Sequence, residues 1–403
     1  MAECACVHRR EGSRVGYRGA VSKLPADPRS NPLVTDVRYG IIGSGLMGCE
    51  HIRNLLALPG ARVTAVADPH QPSLDSARAI NSGQHHPWSE YLRYEDLLES
   101  GLVDAVVIST PNHTHATVLE HVWNTDLHVL VEKPLCTTIA DAQRTVTAAG
   151  AHRGVVWMGL EYRYMPPVAG FLSALSTENI GVLRMISIRE HRFPFLIKVG
   201  DWNRFSVNTG GTLVEKCCHF FDLMNLATGS RPVRVYASGG QDVNHLTERY
   251  PGNMAGEIPD ILDNAFVVVD YANGVRGLLD LCMFAEASDN EQELVAVGDR
   301  GKVEAKVTQG TLTIGRRSPV QANGWPGQPV LKTSDVGHDA RVAHEGYHHG
   351  ASYLEHVGFL DAIRNGGAPA VTVEDGLWSV AVGVAAHRSI EMGRPVTLAE
   401  LGL

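Results

Sequence analysis

Short apolar runs alternate with amphipathic stretches through the first part of the chain. Val37–Ile42, Ala61–Ala67, Val103–Ile108, Leu127–Val131 and Val155–Leu160 are continuous or nearly continuous apolar segments that end in Gly, Asp, Ser or Glu. Runs of this length, bounded by turn and polar residues, read as strands buried on both faces. Between them, Glu50–Leu58 and His113–Trp123 repeat their apolar positions with a helical period. Strands and helices alternating at this spacing predict an α/β domain built on a doubly wound parallel sheet. Beyond residue 156 the pattern changes. Val233–Gly239, Ala265–Tyr271, Val275–Met283, Glu293–Gly298 and Lys302–Lys306 read as strands joined by Gly-rich turns, whereas Leu213–Leu226, Ser352–Arg364 and Leu377–Met392 are helical. Residues 316–345, rich in Gly, Pro and polar side chains, read as a long loop. The expected organisation is an arm over 1–35, an α/β domain over 36–155 and an α+β domain over 156–403.

Composition narrows the class. A chain of 403 residues, 44% hydrophobic and 20% charged, has the length of two globular domains and is too apolar to be disordered. No run approaches the roughly 20 apolar residues of a membrane span. The net charge of −9 argues against a nucleic-acid partner, which calls for clustered Lys and Arg. Seven cysteines without framework spacing fit a reducing, cytoplasmic setting. The first 35 residues differ, with six basic and three acidic side chains. Arg9-Arg10 lacks the apolar segment of an export signal behind it, so this stretch reads as a loose arm.

The strand Val37–Ile42 runs into Gly43-Ser44-Gly45-Leu46-Met47-Gly48, a G-x-G-x-x-G followed by a helix. Such a loop lets the backbone approach a pyrophosphate, which then faces the helix N-terminus. Asp68, 20 residues beyond Gly48, ends the next strand and stands where an acid takes the ribose 2′-hydroxyl of NAD. No Lys or Arg follows it to pair with a 2′-phosphate, so NAD is expected rather than NADP. Ligands of open α/β sheets sit beyond the carboxyl ends of strands. Ser109-Thr110-Pro111-Asn112 and Glu132-Lys133-Pro134 both fall there.

In the second domain, Glu215, His219 and Asp222 stand at i, i+4 and i+7 and would share one face of an unbroken helix. Oxidising a secondary alcohol needs a base for the hydroxyl proton, and a His oriented by a carboxylate suits that task. Lys133 would stabilise the developing alkoxide. Upstream, the segment 189–204 carries Arg189, Arg192, Lys198 and Arg204 beside Trp202, in a chain that is otherwise acidic. Those cations suit an anionic group on a ligand. A solvated basic loop is the plainer alternative. Cys217-Cys218-His219 lacks the partner ligands of a zinc site, so no metal is expected. Of His344, His348 and His349, His349 is expected to face a substrate.

These pieces together resemble the glucose–fructose oxidoreductase / inositol dehydrogenase (Gfo/Idh/MocA) family. The matching segments are Gly43–Gly48, Ser109–Asn112 with His115, His128–Pro134, Gly210-Gly211 with His219 and Asp222, and Glu374-Asp375-Gly376 through Gly393–Val396. The resemblance implies a Rossmann domain followed by a domain with a large, open, mostly antiparallel sheet, and a homo-oligomer, dimer or tetramer. It also implies NAD and a sugar or polyol substrate. Lys133 would contact both, with Glu132, Ser109, Thr110, Pro111, Asn112 and His115 around the cofactor. Glu161–Tyr164 matches a segment that lines the family's substrate pocket, so Tyr162 and Arg163 are expected to touch substrate and Tyr164 to serve as an acid or base. The chain departs from the family by placing Glu215 where an Asp is usual and Cys217 where a Gly is frequent. The expected activity is oxidation of a secondary hydroxyl on a sugar, glycoside or cyclic polyol, with Lys133, Glu215 and His219 as the catalytic set. Some relatives instead use NAD in a redox-neutral glycoside cleavage, and an anionic glycoside such as a sulfoquinovoside is an alternative substrate here. A sensing protein without catalysis is the third reading.

Overall fold

The computed structural model describes residues 36–82, 86–252 and 256–403. The expected arm over 1–35 lies outside them. Six parallel strands form the first sheet: β1 Val37–Ile42, β2 Ala61–Ala67, β3 Ser89–Tyr91, β4 Ala105–Ile108, β5 His128–Glu132 and β6 Val156–Gly159. Their order, β3-β2-β1-β4-β5-β6, reverses direction between β1 and β4, the crevice where such sheets hold dinucleotides. The central strands are apolar and buried on both faces because helices cover each side, which explains why they are legible as unbroken runs. The strand β6 pairs with β5, so the first sheet continues to Gly159, four residues past the boundary expected at 155.

The second sheet has nine strands, β7 Leu183–His191, β8 Pro232–Gly240, β9 Asn264–Tyr271, β10 Arg276–Cys282, β11 Gln292–Gly298, β12 Gly301–Lys306, β13 Thr311–Arg316, β14 Val330–Asp335 and β15 Val396–Thr397. In the order β14-β13-β12-β11-β7-β10-β9-β8-β15, only β7 and β10 run parallel. The expected loop over 316–345 therefore contains an edge strand, β14. One face of the sheet is packed under helices Cys218–Thr228 and Val373–Met392 and the shorter Pro166–Ala174. The other face leaves Tyr236, Phe266, Val268 and Leu278 exposed, in neighbouring positions of β8, β9 and β10.

Two helices join the halves. Val373–Met392 packs on Ile139–Ala149 as well as on β8, and Ala351–Asn365 packs on Leu46–Ala57, the helix behind the glycine loop. The expected helix Leu213–Leu226 is broken. It forms Thr212–Glu215 and Cys218–Thr228, with Lys216 and Cys217 at the joint.

Candidate active site

The glycine loop has the shape a dinucleotide requires. Gly43 sits at φ 89°, a left-handed turn open to glycine, and a Cβ on Gly48 would lie 2.0 Å from the Gly43 carbonyl. A Cβ on Gly45 would meet nothing, so the loop faces open space there. The helix Leu46–Ala57 has no side chain capping its N-terminus, which leaves its first amides for an anion. Asp68 Oδ2 accepts from the Ser44 amide at 2.7 Å and the Ser44 hydroxyl at 3.3 Å, whereas Oδ1 accepts from the His70 amide at 2.8 Å and keeps a lone pair for a ribose hydroxyl. These residues fit NAD. Leu46 and Met47 begin the helix at the mouth of the loop.

Two loops at the strand ends are tied together beside it. Ser109 Oγ donates to the Gly43 carbonyl at 2.7 Å, locking the end of β4 to the glycine loop. His115 is fully buried and spans the Pro134 and Thr110 carbonyls at 2.9 and 3.0 Å, joining the 109–112 loop to Glu132-Lys133-Pro134. Burial lowers its pKa, and a neutral imidazole donates to only one of the two carbonyls. His115 thus acts through these loops. The Lys133–Pro134 peptide is cis.

Lys133 is aimed by the groups around it. Glu132 is buried, bonded to His51 Nε2 at 2.9 Å and to the Lys133 amide at 3.0 Å, and His51 Nδ1 meets His356 Nε2 at 2.9 Å. The Lys133 Nζ lies 3.4 Å from the Glu215 carbonyl oxygen. Burial alone would lower its pKa, but Glu215, Glu132 and Glu161 outweigh that and hold the ammonium above its ordinary value. Glu215 is buried, takes a 2.9 Å hydrogen bond from Asn112 Nδ2, and has its pKa raised by burial against the pull of Lys133 and Lys198. Asn112 thus carries the first domain into the second domain's site.

His219 is buried and stacked on Tyr162, with ring centroids 3.9 Å apart and planes 3° from parallel. Burial, then the charges of Lys133 and Lys216, push its pKa well below the ordinary value, so the imidazole is neutral near pH 7. The carboxylate that faces it is Glu161, at 3.7 Å from Nε2, rather than Glu215. Lys216 Nζ donates to Tyr162 Oη at 2.8 Å and pairs with Glu190 at 2.9 Å, so the Tyr162 hydroxyl is engaged below the site.

Several expected contacts fall elsewhere. Arg163 and Asp222 form a buried, two-pronged ion pair, with Arg163 also near Asp375 at 3.3 Å, so neither is brought to the pocket. The break at Lys216-Cys217 separates Glu215 from the helix that carries both His219 and Asp222. Tyr164 lines a separate cavity of about 470 Å³ with Pro166, Asp335, Val336 and Leu354. His349 is exposed, and it is His348 that reaches inward, its Nδ1 3.4 Å from Glu161. Arg189 turns to the outer sheet face toward Asp280 and Glu293. Lys198 and Arg192 remain near the Lys133 cluster, and the Lys198 carbonyl accepts from the Asp201 amide at 3.0 Å. Arg204 is buried, donates to the Phe195 carbonyl at 3.1 Å, and is close enough to favour the charged form of Glu215. Trp202 is half-buried on the same segment. Glu190 and the pair His51 and His356 were not singled out from the sequence, whereas Glu161 was named only within a pocket-lining segment and His348 only beside the preferred His349. Besides that resemblance, Glu161 is an acid that closes the apolar run Val155–Leu160.

Comparison with known proteins gives the family. The oxidoreductase family's NAD-binding Rossmann fold matches residues 37–160, and its C-terminal alpha/beta domain matches residues 173–398. The chain belongs to the Gfo/Idh/MocA family. Its relatives include a myo-inositol 2-dehydrogenase of Thermotoga maritima, 26% identical over 91% of this chain and 99% of that protein. They also include the NAD(+)-dependent scyllo-inositol 2-dehydrogenase of Bacillus subtilis, 25% identical over 90% of this chain and 96% of that one. Levoglucosan dehydrogenase, solved with NADH and levoglucosan, shares the fold with a TM-score of 0.76 at 19% identity, covering 90% of this chain and all of that one. As a Gfo/Idh/MocA oxidoreductase the protein uses NAD. No helix among its described residues is long and apolar enough to cross a membrane.

Proposed function

We propose that the protein oxidises a secondary hydroxyl of a cyclic polyol or sugar. The observation that carries this reading is the placement of Lys133 Nζ, 3.4 Å from the Glu215 carbonyl, near the buried His219, whose charged form it disfavours. NAD supplies the hydride acceptor. The Lys133 ammonium donates to the substrate oxygen and stabilises negative charge as it develops there, in a site where burial strengthens the interaction. His219, being neutral, takes the hydroxyl proton. Glu215, held by Asn112, fixes the Lys133 head and is available to a neighbouring hydroxyl. Lys198 and Arg192 form a cationic edge that suits a substrate carrying a carboxylate or sulfonate. The names of the inositol dehydrogenase relatives support a polyol.

A panel of inositols, free sugars, sugar acids and aryl glycosides, incubated with the protein and NAD, tests this reading. NADH accumulating with a polyol or free sugar is the expected result. Aglycone release without net NADH would replace the dehydrogenase by the redox-neutral glycosidase. NAD binding with neither outcome would leave a sensing protein.

A further inference from the structure

Two histidines outside the substrate pocket stand in a line of hydrogen bonds that ends at Lys133. His51, on the helix Leu46–Ala57 behind the glycine loop, and His356, on Ala351–Asn365 of the second domain, are both fully buried. His356 Nε2 meets His51 Nδ1 at 2.9 Å, and the two rings cross edge to face with centroids 5.0 Å apart. His51 Nε2 meets Glu132 Oε1, also at 2.9 Å. The other Glu132 oxygen, Oε2, accepts from the Lys133 amide at 3.0 Å. Every link has hydrogen-bond length. Burial would raise the Glu132 pKa, but His51 first and Lys133 after it bring it down to about 2. A carboxylate only accepts, so His51 Nε2–H is the donor in that link.

Lysine carries its ammonium on a flexible four-carbon stem, so its head is only as well placed as the backbone it grows from. A misplacement of about 1 Å at a reacting group can cost about 10²-fold in rate. Glu132 holds the Lys133 amide, and the Glu132 side chain is itself held by His51, on a helix that starts at the glycine loop. From that anchored base the half-buried Lys133 side chain brings Nζ to 3.4 Å from the Glu215 carbonyl.

We propose that His51 is the positioning residue for Lys133, acting through Glu132 and held in place by His356. This inference rests on the reading of Lys133 as the group that meets the substrate oxygen. His51 itself touches neither substrate nor cofactor: its ring is fully buried, and both of its nitrogens are engaged by protein partners. The chain of bonds joins three segments that lie far apart in sequence, so the lysine is set jointly by the helix at the cofactor loop and by the second domain.

Two near-isosteres separate positioning from packing. In His51→Gln the side-chain amide reaches the Nε2 position and keeps a donor for Glu132, while the bond to His356 is lost. In His51→Asn the shorter amide reaches only the Nδ1 position, so it keeps His356 and leaves Glu132 Oε1 without its partner. Each variant removes one buried hydrogen bond, so a merely structural histidine predicts similar losses from both. Steady-state kinetics on a polyol found active in the panel, with NAD affinity from fluorescence titration, tell the two apart. His51→Asn should lower kcat at least about tenfold, with KM and the NAD Kd within about threefold, whereas His51→Gln should keep kcat within about threefold. In the Lys133→Ala background, His51→Asn should cost less than about twofold, because residues acting through one group are not additive. Equal losses in the two His51 variants, or near-wild-type kcat in both, would overturn the positioning role. A fully active Lys133→Ala would instead overturn the reading of Lys133, and the proposal with it. If His51→Asn does not fold, ¹⁵N NMR of the wild-type protein with NAD bound decides: a His51 proton on Nε2 is expected, and an Nε2 without one overturns the proposal.

Discussion

Lys133 and His219 owe their chemistry to opposite responses to burial. His219 is buried and Lys133 half-buried; the carboxylates around Lys133 keep it charged, whereas burial first, then Lys133 and Lys216, keeps His219 neutral. An acid–base residue contributes about 10²–10⁴-fold to turnover, so Lys133→Ala and His219→Ala should each lower kcat/KM at least about 100-fold. NAD affinity, measured by fluorescence titration, should survive in His219→Ala. Asp68→Ala should weaken NAD far more than NADP, because the carboxylate serves the ribose hydroxyls and opposes a 2′-phosphate. Equal weakening of the two cofactors would remove that role. At this scale the glycine loop, Asp68 and Lys133 were legible because each follows an apolar strand at a set spacing. The partner of His219 was not. Sequence spacing pairs it with Glu215 four residues away, but Glu215 is drawn to Asn112 and Lys133, and Glu161 arrives from a segment 58 positions earlier.

The broken helix around Lys216 shows what an element-level pattern hides. Helical periodicity over Leu213–Leu226 is real, yet the chain pauses after Glu215 and restarts at Cys218, redirecting Asp222 onto Arg163. That ion pair ties the turn Glu161–Tyr164 to helix Cys218–Thr228, and Asp375 brings the start of Val373–Met392 to the same point. Asp222→Ala leaves the Arg163 guanidinium buried without its carboxylate and should cost about 3–5 kcal/mol in urea unfolding. A loss below about 1 kcal/mol, the range of surface pairs, would show that the pair is not anchoring the turn. Strands were legible in proportion to their burial. The first sheet's central strands are apolar throughout, whereas β14 exposes all six residues and carries no inward face to betray it. Strand β7 alternates as a strand should, but its arginines and histidine make it resemble a basic binding segment.

Across the whole molecule, the two sheets divide the labour. The parallel sheet presents the cofactor crevice, and the nine-stranded sheet supports the broken helix on one face while its other face stays bare. Tyr236, Phe266, Val268 and Leu278 form an apolar patch there, the kind that marks an association surface. We propose that copies of the chain associate through it, so Phe266→Glu should shift light-scattering mass from oligomer to monomer; an unchanged mass would place the contact elsewhere. Net hydride transfer out of the substrate is read by isotope labelling. A polyol found active in the panel, deuterated at its ring carbons, is turned over with NAD. One deuterium in the reduced nicotinamide is expected for each ketone released. Deuterium retained in the sugar product, with the NAD pool still oxidised, would contradict it.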